Sequence, residues 1–379
     1  MQRPDQILMC LERAGFEAYY VGGCVRDTLL GRPIHDWDIT TAAPPDTLLE
    51  IFPHCVPTGI QHGTVTVLED NTAAEVTTFR KDGAYHDGRH PDAVLFVSEL
   101  EEDLARRDFT INAMAMDLRG KITDCFGGRE DLKNGVIRCV GAPERRFQED
   151  ALRMLRAVRF SAQLGFQIEP GTMRVIEEYT GLCRKLSRER VSAETEKVLL
   201  SARPELLEEM LRLGLLAACG VEGEVRLAAL RDVPAEKETR WAMLQRQIPT
   251  LDLRQFRLSS KLTESSRRAA AAYRAHFTRQ ELKLLIAEEG EETARVCAKM
   301  SGQERLFLQI LQSGECTRLR DLAVTGKDFP TLRGKEVGTM LQKLLAHVLL
   351  HPEDNNRQTL LRLAEGLSDP DGHKHIGNV

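Results

Sequence analysis

Nowhere does this sequence carry an apolar run long enough to span a bilayer, which excludes a helical membrane anchor. Its nine cysteines include no CxxC pair. Their scatter fits free thiols in a reducing cytoplasm rather than a disulfide framework or a zinc site. Aromatic residues make up only 5% of the chain. Positive charge is also short, since the net charge is −5. That balance argues against a uniformly basic nucleic-acid binder and leaves room for a local basic face. There is no internal repeat and no low-complexity segment. The opening MQRPDQILMCLERAG reads as an amphipathic helix, not a signal peptide.

What the chain does have is core. With 379 residues, 42% of them hydrophobic, it is too long for one ordinary domain and divides into about two to four units. To about residue 140, short strands alternate with helices. Pro4–Ala14, Val25–Leu30, Pro44–Phe52 and Leu100–Ala105 read as helices. Glu17–Val21, Trp37–Thr41, Thr64–Leu68, Ala74–Phe79 and Asp92–Val97 read as strands, with Glu69-Asp70-Asn71 as a hairpin turn. Lys81–Pro91, rich in Gly and charge, reads as a mobile loop. Beyond residue 140 the strand signal fades. Leu, Ala, Glu and Arg dominate, and apolar residues recur three and four apart, from one long helix over Pro143–Leu164 through to Arg357–Leu363. The expected fold is α+β: a small N-terminal α/β head followed by an all-helical neck, body and tail. The tail end, Asp369–Val379, reads as frayed, with His373 and His375 exposed.

The chemistry concentrates in Tyr20–Thr41, YVGGCVRDTLLGRPIHDWDITT. Asp36 and Asp38 flank Trp37 on a strand, which puts both carboxylates on one face and the indole on the other. Two adjacent carboxylates repel unless a cation neutralises them, and oxygen donors at this spacing suit Mg²⁺ completed by substrate phosphates. Gly22-Gly23 follows a strand and precedes a helix, a place where backbone amides approach phosphate closely. Arg26 can add a charge-assisted contact. Each part also has an ordinary reading: Gly-Gly as a turn, Asp-x-Asp as a solvated strand edge or a Ca²⁺ loop.

Other candidates lie downstream. Glu75 opens EVTTF, either as a third carboxylate opposite the Asp pair or as an exposed strand-end residue. Arg106-Arg107 is either surface charge or, through Arg107, a fork for a triphosphate. Asp108 can cap a following helix that carries Ile111 and Met114 on one face, and Asn112 or Asp108 can read ribose hydroxyls. Gly127, Gly128 and Gly135 suit a hinge. Asp150 and Arg153, three apart on a helix beginning at Glu149, are either an ordinary ion pair or a base reader. Cytosine and adenine each present an exocyclic amino donor beside a ring-nitrogen acceptor. A carboxylate and a guanidinium match that edge and mismatch uracil and guanine. Arg156 and Arg159 continue the spacing, but each step of three turns the helix by about −60°, so Arg159 points away from Asp150 toward phosphate or the neck.

Taken together, GGCVRDTLLGRPIHDWDI, GIQHGT, EVTTFR, RRDFTINAM, DCFGGREDLKNGVIR and EDALRMLRAVRF resemble the successive motifs of class II tRNA nucleotidyltransferases and bacterial poly(A) polymerases, in the polymerase-β superfamily. The likeness covers residues 20–166 at motif strength. It continues weakly over Asp321–Leu360, where it is closest to Bacillus-type CCA-adding enzymes.

The resemblance implies catalysis by Asp36, Asp38 and Glu75, with metal on Asp36 and Asp38. It implies nucleotide binding by Gly22, Gly23, Arg26, Arg107, Asp108, Asn112, Asp150, Arg153, Arg156 and Arg159. His62, in GIQHGT, is either ligand-facing or turn-stabilising. The implied layout is a catalytic head (1–139), a base-recognising neck (140–200), a helical body (201–285) and a tRNA-binding tail (286–379). The implied activity is cytoplasmic, Mg²⁺-dependent addition of CCA to the tRNA 3′ acceptor end from CTP and ATP, with no DNA or membrane partner. Basic candidates for the tRNA surface are Arg184, Lys185, Arg188, Arg190, Lys261, Arg267 and Arg268. A-adding, CC-adding or poly(A) polymerase activity remains an alternative, as does a catalytically inactive RNA-binding module. The loop retained at Lys81–Pro91 weighs against CC-only addition, and intact carboxylates weigh against the inactive module.

Overall fold

The computed structural model describes residues 3–69, 72–83 and 94–368. The chain folds into two compact units, Met1–Val225 and Arg226–Val379.

The first unit begins with α1 (Asp5–Arg13), β1 (Ala18–Val21), α2 (Gly23–Leu29), β2 (Trp37–Thr41) and α3 (Pro45–Ile51). Strands β3 (Cys55–Gly59), β4 (Thr64–Glu69), β5 (Thr72–Thr78), β6 (Arg80–Asp82) and β7 (Val94–Phe96) follow, then α4 (Leu100–Ala105), β8 (Met114–Met116) and β9 (Ile122–Asp124). Seven of these strands form one sheet in the order β3-β4-β5-β2-β1-β8-β9, in which only β2 and β5 run parallel. Alternation explains the strands: along β5 buried Ala74, Val76 and Thr78 alternate with more accessible Ala73, Glu75 and Thr77. Helix α1 buries Ile7, Leu8 and Leu11 and exposes its charged face, as its apolar spacing requires.

Several expectations are corrected here. Asp108 caps no long helix. Thr110–Asn112 is a single 3₁₀ turn, and Met114 starts β8, which pairs with β1 at Tyr20↔Met116 and Val21↔Ala115. A short, fully buried Met-Ala-Met run has no alternation to distinguish it from a helix. Lys81 and Asp82 are in β6, not in a loop. Asp70, Asn71, residues 84–93 and residues 369–379 lie outside the described residues.

The unit continues with α5 (Gly128–Asn134), β10 (Val136–Ile137), α6 (Pro143–Glu149), α7 (Leu152–Leu164), β11 (Gln167–Ile168), α8 (Pro170–Tyr179), α9 (Arg188–Leu199) and α10 (Leu207–Arg212). The anticipated single helix over 143–164 is broken at Asp150, whose backbone is extended at φ −151° and ψ 105°. Its carboxylate Oδ1 accepts from the N–H of Leu152, the first residue of α7, at 3.1 Å. Asp makes such local bonds readily, which is why it interrupts helices. Gly127 and Gly135 bracket α5 in left-handed conformations, and a Cβ on Gly128 would fall 2.2 Å from the carbonyl oxygen of Thr110. Gly128 serves close packing, whereas Gly127 and Gly135 supply the left-handed backbone at the two ends of α5.

The second unit is helical: α11 (Lys237–Gln247), α12 (Ser260–Ala272), α13 (Arg279–Glu289), α14 (Glu291–Met300), α15 (Glu304–Gln312), α16 (Lys335–Leu350) and α17 (Arg357–Ser368). Trp241 and Phe256 are fully buried in it, and a separate apolar cluster lies beneath α16 around Phe329, Leu344, Val348 and Leu360. No described helix is long and apolar enough to cross a membrane.

Candidate active site

One cavity of about 640 Å³ in the first unit is lined by all thirteen residues to which the resemblance gives catalysis or nucleotide binding: Asp36, Asp38, Glu75, Gly22, Gly23, Arg26, Arg107, Asp108, Asn112, Asp150, Arg153, Arg156 and Arg159. Its walls carry eight basic and five acidic side chains, so a chain that is acidic in total keeps a basic pocket.

At the sheet end, Trp37 is buried and its neighbours Asp36 and Asp38 reach the cavity. Asp38 on β2 lies directly beside Glu75 on β5 in the parallel register. Burial pushes the Asp38 carboxyl up to about 6. Arg107 opposes that rise, while Glu75 and Asp36 add to it. A divalent cation would reverse the balance. The donor set is oxygen only, which suits a hard cation. Among the described residues no three His, Cys, Asp or Glu side chains close around one point. A divalent cation at the Asp36–Asp38 pair, with Glu75 beside it, would need further oxygens from substrate.

Beside the carboxylates, Gly22 precedes α2 with φ 74° and ψ −132°. A Cβ there would lie 2.9 Å from Arg107 Nη1 and 3.4 Å from Asp38 Oδ2, so both backbone geometry and space call for glycine. Arg107 is anchored from behind by Asp103, at 3.3 Å, and its Nε is buried without a hydrogen-bond partner. Asp103, which lies outside the recognised motifs, is fully buried and also binds Arg106 at 2.8 Å and Thr40 Oγ1 at 3.2 Å. Burial would raise this carboxyl, but Arg106 and Arg107 hold it below its ordinary value. Its spacing to those arginines, three and four residues along from α4, was the available signal.

Asp108 is buried and fully engaged. Oδ1 accepts from Phe109 N–H and Asn112 Nδ2, and Oδ2 accepts from Arg156 Nε at 2.7 Å. Burial opposes its charge, yet Arg156 and the Asn112 bond bring its pKa down to about 2. Asn112 in turn accepts from Arg26 Nη1 at 2.8 Å, while Arg26 forks onto Asp27. The guanidiniums of Arg26, Arg156 and Arg159 surround the Phe160 ring at 5.2, 5.4 and 3.8 Å. Three cations on one ring make Phe160 the packing post of the basic wall. Arg159 pairs with Glu194 of α9 and Gln163, away from Asp150.

Asp150 and Arg153 both line the cavity but do not pair with each other as a helical i,i+3 couple. The break at Asp150 turns its carboxylate to Arg190 of α9, at 2.7 and 3.1 Å. Arg153 is held by Glu149 at 2.7 Å and by the carbonyls of Arg146 and Arg106. Arg190 is therefore a cavity residue, which corrects its placement on an RNA-facing surface. Of the other basic candidates, Arg184 pairs with Glu222, Lys261 with Glu292, Arg267 with Glu264 and Arg268 with Glu289, and Arg188 bonds the Ala218 carbonyl. His62 lies in a 3₁₀ turn with its carbonyl bonded by Arg80, outside the cavity lining. A second cavity of about 520 Å³ shares Gly23, Arg26, Asp36 and Asp38 with the first and runs on past Arg32, His35 and Ser201.

A family model described as the poly A polymerase head domain matches residues 18–138, and one described as the probable RNA and SrmB-binding site of polymerase A matches residues 165–219. The CCA-adding enzyme of Enterococcus faecalis is 38% identical over 374 residues, covering 93% of this chain and 92% of that one. The chain belongs to the CCA-adding enzyme family. The CCA-adding enzyme of Geobacillus stearothermophilus is 40% identical over 366 residues, 89% of each chain. The crystal structure of the Bacillus stearothermophilus CCA-adding enzyme in complex with CTP superposes with a TM-score of 0.82 at 35% identity, covering 96% of this chain and 98% of that one. A Thermotoga maritima CCA-adding enzyme complexed with tRNA shares the fold, with a TM-score of 0.67 at 21% identity.

Proposed function

We propose that the chain adds C, C and A to the 3′ end of tRNA from CTP and ATP, without a nucleic-acid template, and releases pyrophosphate. The observation that carries this reading is the joining, in one cavity, of the Asp36–Asp38–Glu75 carboxylates to Asp150 and Arg153. CCA-adding enzymes use divalent metal; here Mg²⁺ is the proposed ion, held by Asp36 and Asp38. In a two-metal mechanism one such ion would lower the pKa of the acceptor 3′-hydroxyl and the other would neutralise the leaving pyrophosphate.

The chain's own residues position and select. The Gly22-Gly23 backbone and Arg107 receive the triphosphate, with Arg26 behind them. Asp150 accepts a hydrogen bond from the exocyclic amine of cytosine or adenine while Arg153 donates to the adjacent ring nitrogen. Uracil and guanine present the opposite pattern, leaving buried polar groups unpaired. The second cavity meets the first at Asp36 and Asp38, so the acceptor 3′ end reaches the carboxylates from there. The head (1–139), neck (140–200), body (201–285) and tail (286–379) then divide catalysis, base choice and tRNA grip, in the cytoplasm.

The test is direct. Purified protein is incubated with tRNA ending before A, CA or CCA, with single and mixed nucleoside triphosphates, and the 3′ ends are sequenced. Restoration of CCA from CTP and ATP, with UTP and GTP left unused, supports the reading. Addition of A alone, of C alone or of long A tracts overturns it.

A further inference from the structure

Asp150 does not stand free in the cavity. Oδ1 accepts from Leu152 N–H at 3.1 Å and from Arg190 Nη1 at 3.1 Å; Oδ2 accepts from Arg190 Nη2 at 2.7 Å. A carboxylate offers about four lone-pair sites. Three are filled, and the one left is on Oδ2. One backbone bond, from Leu152 N–H, holds only Oδ1 and leaves the plane of the carboxylate unset, since Asp150 sits in the extended break between α6 and α7. Arg190 can set it. It rises from the first turn of α9, a helix fixed by buried Val191, Thr195 and Val198 and by the Glu194–Arg159 pair. A two-point guanidinium–carboxylate fork fixes the plane of the acceptor as well as its position.

We propose that Arg190 is a specificity-positioning residue: it holds the Asp150 carboxylate so that the single open lone pair on Oδ2 meets the amino group of the incoming base. The inference rests on the base-reading role given to Asp150 above. It makes selection a three-residue arrangement, with Asp150 and Arg153 touching the base and Arg190 acting through Asp150. Lysine at 190 would keep the charge but lose the fork. The carboxylate could then rotate and offer its oxygens without preference.

The experiment compares single-turnover incorporation of CTP, ATP, UTP and GTP by the wild type, Arg190→Lys, Asp150→Ala and the double variant, with thermal melting of each. Arg190→Lys is expected to narrow the CTP-over-UTP advantage by about tenfold, equivalent to loss of one charge-assisted hydrogen bond's geometry. Asp150→Ala is expected to narrow it further, and the double variant to match Asp150→Ala alone, since Arg190 then has nothing to orient. A lowered melting temperature in Arg190→Lys with an unmoved ratio would mean that Arg190 only ties α9 to the α6–α7 break, overturning the inference. If Asp150→Ala shifts the ratio and Arg190→Lys does not, the inference fails while base reading by Asp150 survives. If neither shifts it, both fall. If the double variant shows the product of the two single effects, Arg190 acts independently of Asp150 and the inference is again overturned.

Discussion

Asp38 and Glu75 occupy the same register of the parallel β2–β5 ladder, so two strands from distant parts of the sequence place carboxylates side by side at one end of the cavity. The Asp38 carboxyl is pushed up to about 6 by burial, against Arg107 and with Glu75 and Asp36, so a cation beside it would favour its charged form.

Asp38→Ala should therefore abolish addition of both C and A while leaving tRNA binding in place. Metal charge stabilisation is worth several kcal/mol, and each 1.4 kcal/mol is about tenfold in rate, so a loss of roughly a thousandfold is expected. Single-turnover transfer and a tRNA binding titration measure the two effects separately. Near-normal transfer by the variant would remove Asp38 from the catalytic set. Glu75→Ala is expected to be severe in the same direction.

Gly22→Ala tests the phosphate turn. The new Cβ would press on Arg107 Nη1 from a backbone with φ 74°, a region that costs other residues about 1–3 kcal/mol. The variant should melt earlier, and its KM for ATP and CTP should rise, because Arg107 is pinned behind by Asp103 and has little room to withdraw. Unchanged KM for both nucleotides would show that this turn does not carry the triphosphate.

A third prediction follows from Asp108. Its carboxyl titrates at about 2 in the folded chain, against about 3.9 when unfolded. A depressed carboxylate contributes stability that is fully present above the unfolded value and is lost as pH falls toward the folded one. Asp108→Asn should cost stability near neutral pH by roughly 3 kcal/mol. The gap between variant and wild type should shrink from pH 5 down to pH 2. Urea midpoints across that range measure it, and parallel curves would contradict the assignment.

The head's central hairpin and its carboxylates were legible because their signal is contiguous. Gly22-Gly23, Asp36-Trp37-Asp38 and EVTTF each carry their meaning within a few residues, and alternation places the charges. The break at Asp150 was not legible. Apolar spacing over 143–164 runs on through it, and the partner that turns the carboxylate, Arg190, is forty residues away. Arg190 in the sequence is one arginine among many, and nothing in it separates this residue from the basic candidates for an RNA surface. Met114–Met116 was hidden for another reason: a strand buried on both faces has no polar alternation to mark it. Phe160 carries no signal of its own in the sequence, and only the fold brings Arg26 from α2 to its ring beside Arg156 and Arg159.

Base choice without a template is the centre of the account, and Arg153 tests it most directly. Its guanidinium is held by Glu149 and by the Arg146 and Arg106 carbonyls, aimed into the cavity that Asp150 also lines. Single-turnover incorporation of each of the four nucleotides is measured for the wild type and Arg153→Ala. A hydrogen bond lost from a site built for it costs about 1–3 kcal/mol, or about ten- to a hundredfold. Arg153→Ala should thus slow CTP and ATP while narrowing their advantage over UTP by that factor. A variant that slows all four nucleotides equally, with the CTP-to-UTP ratio unmoved, would contradict base reading at this site.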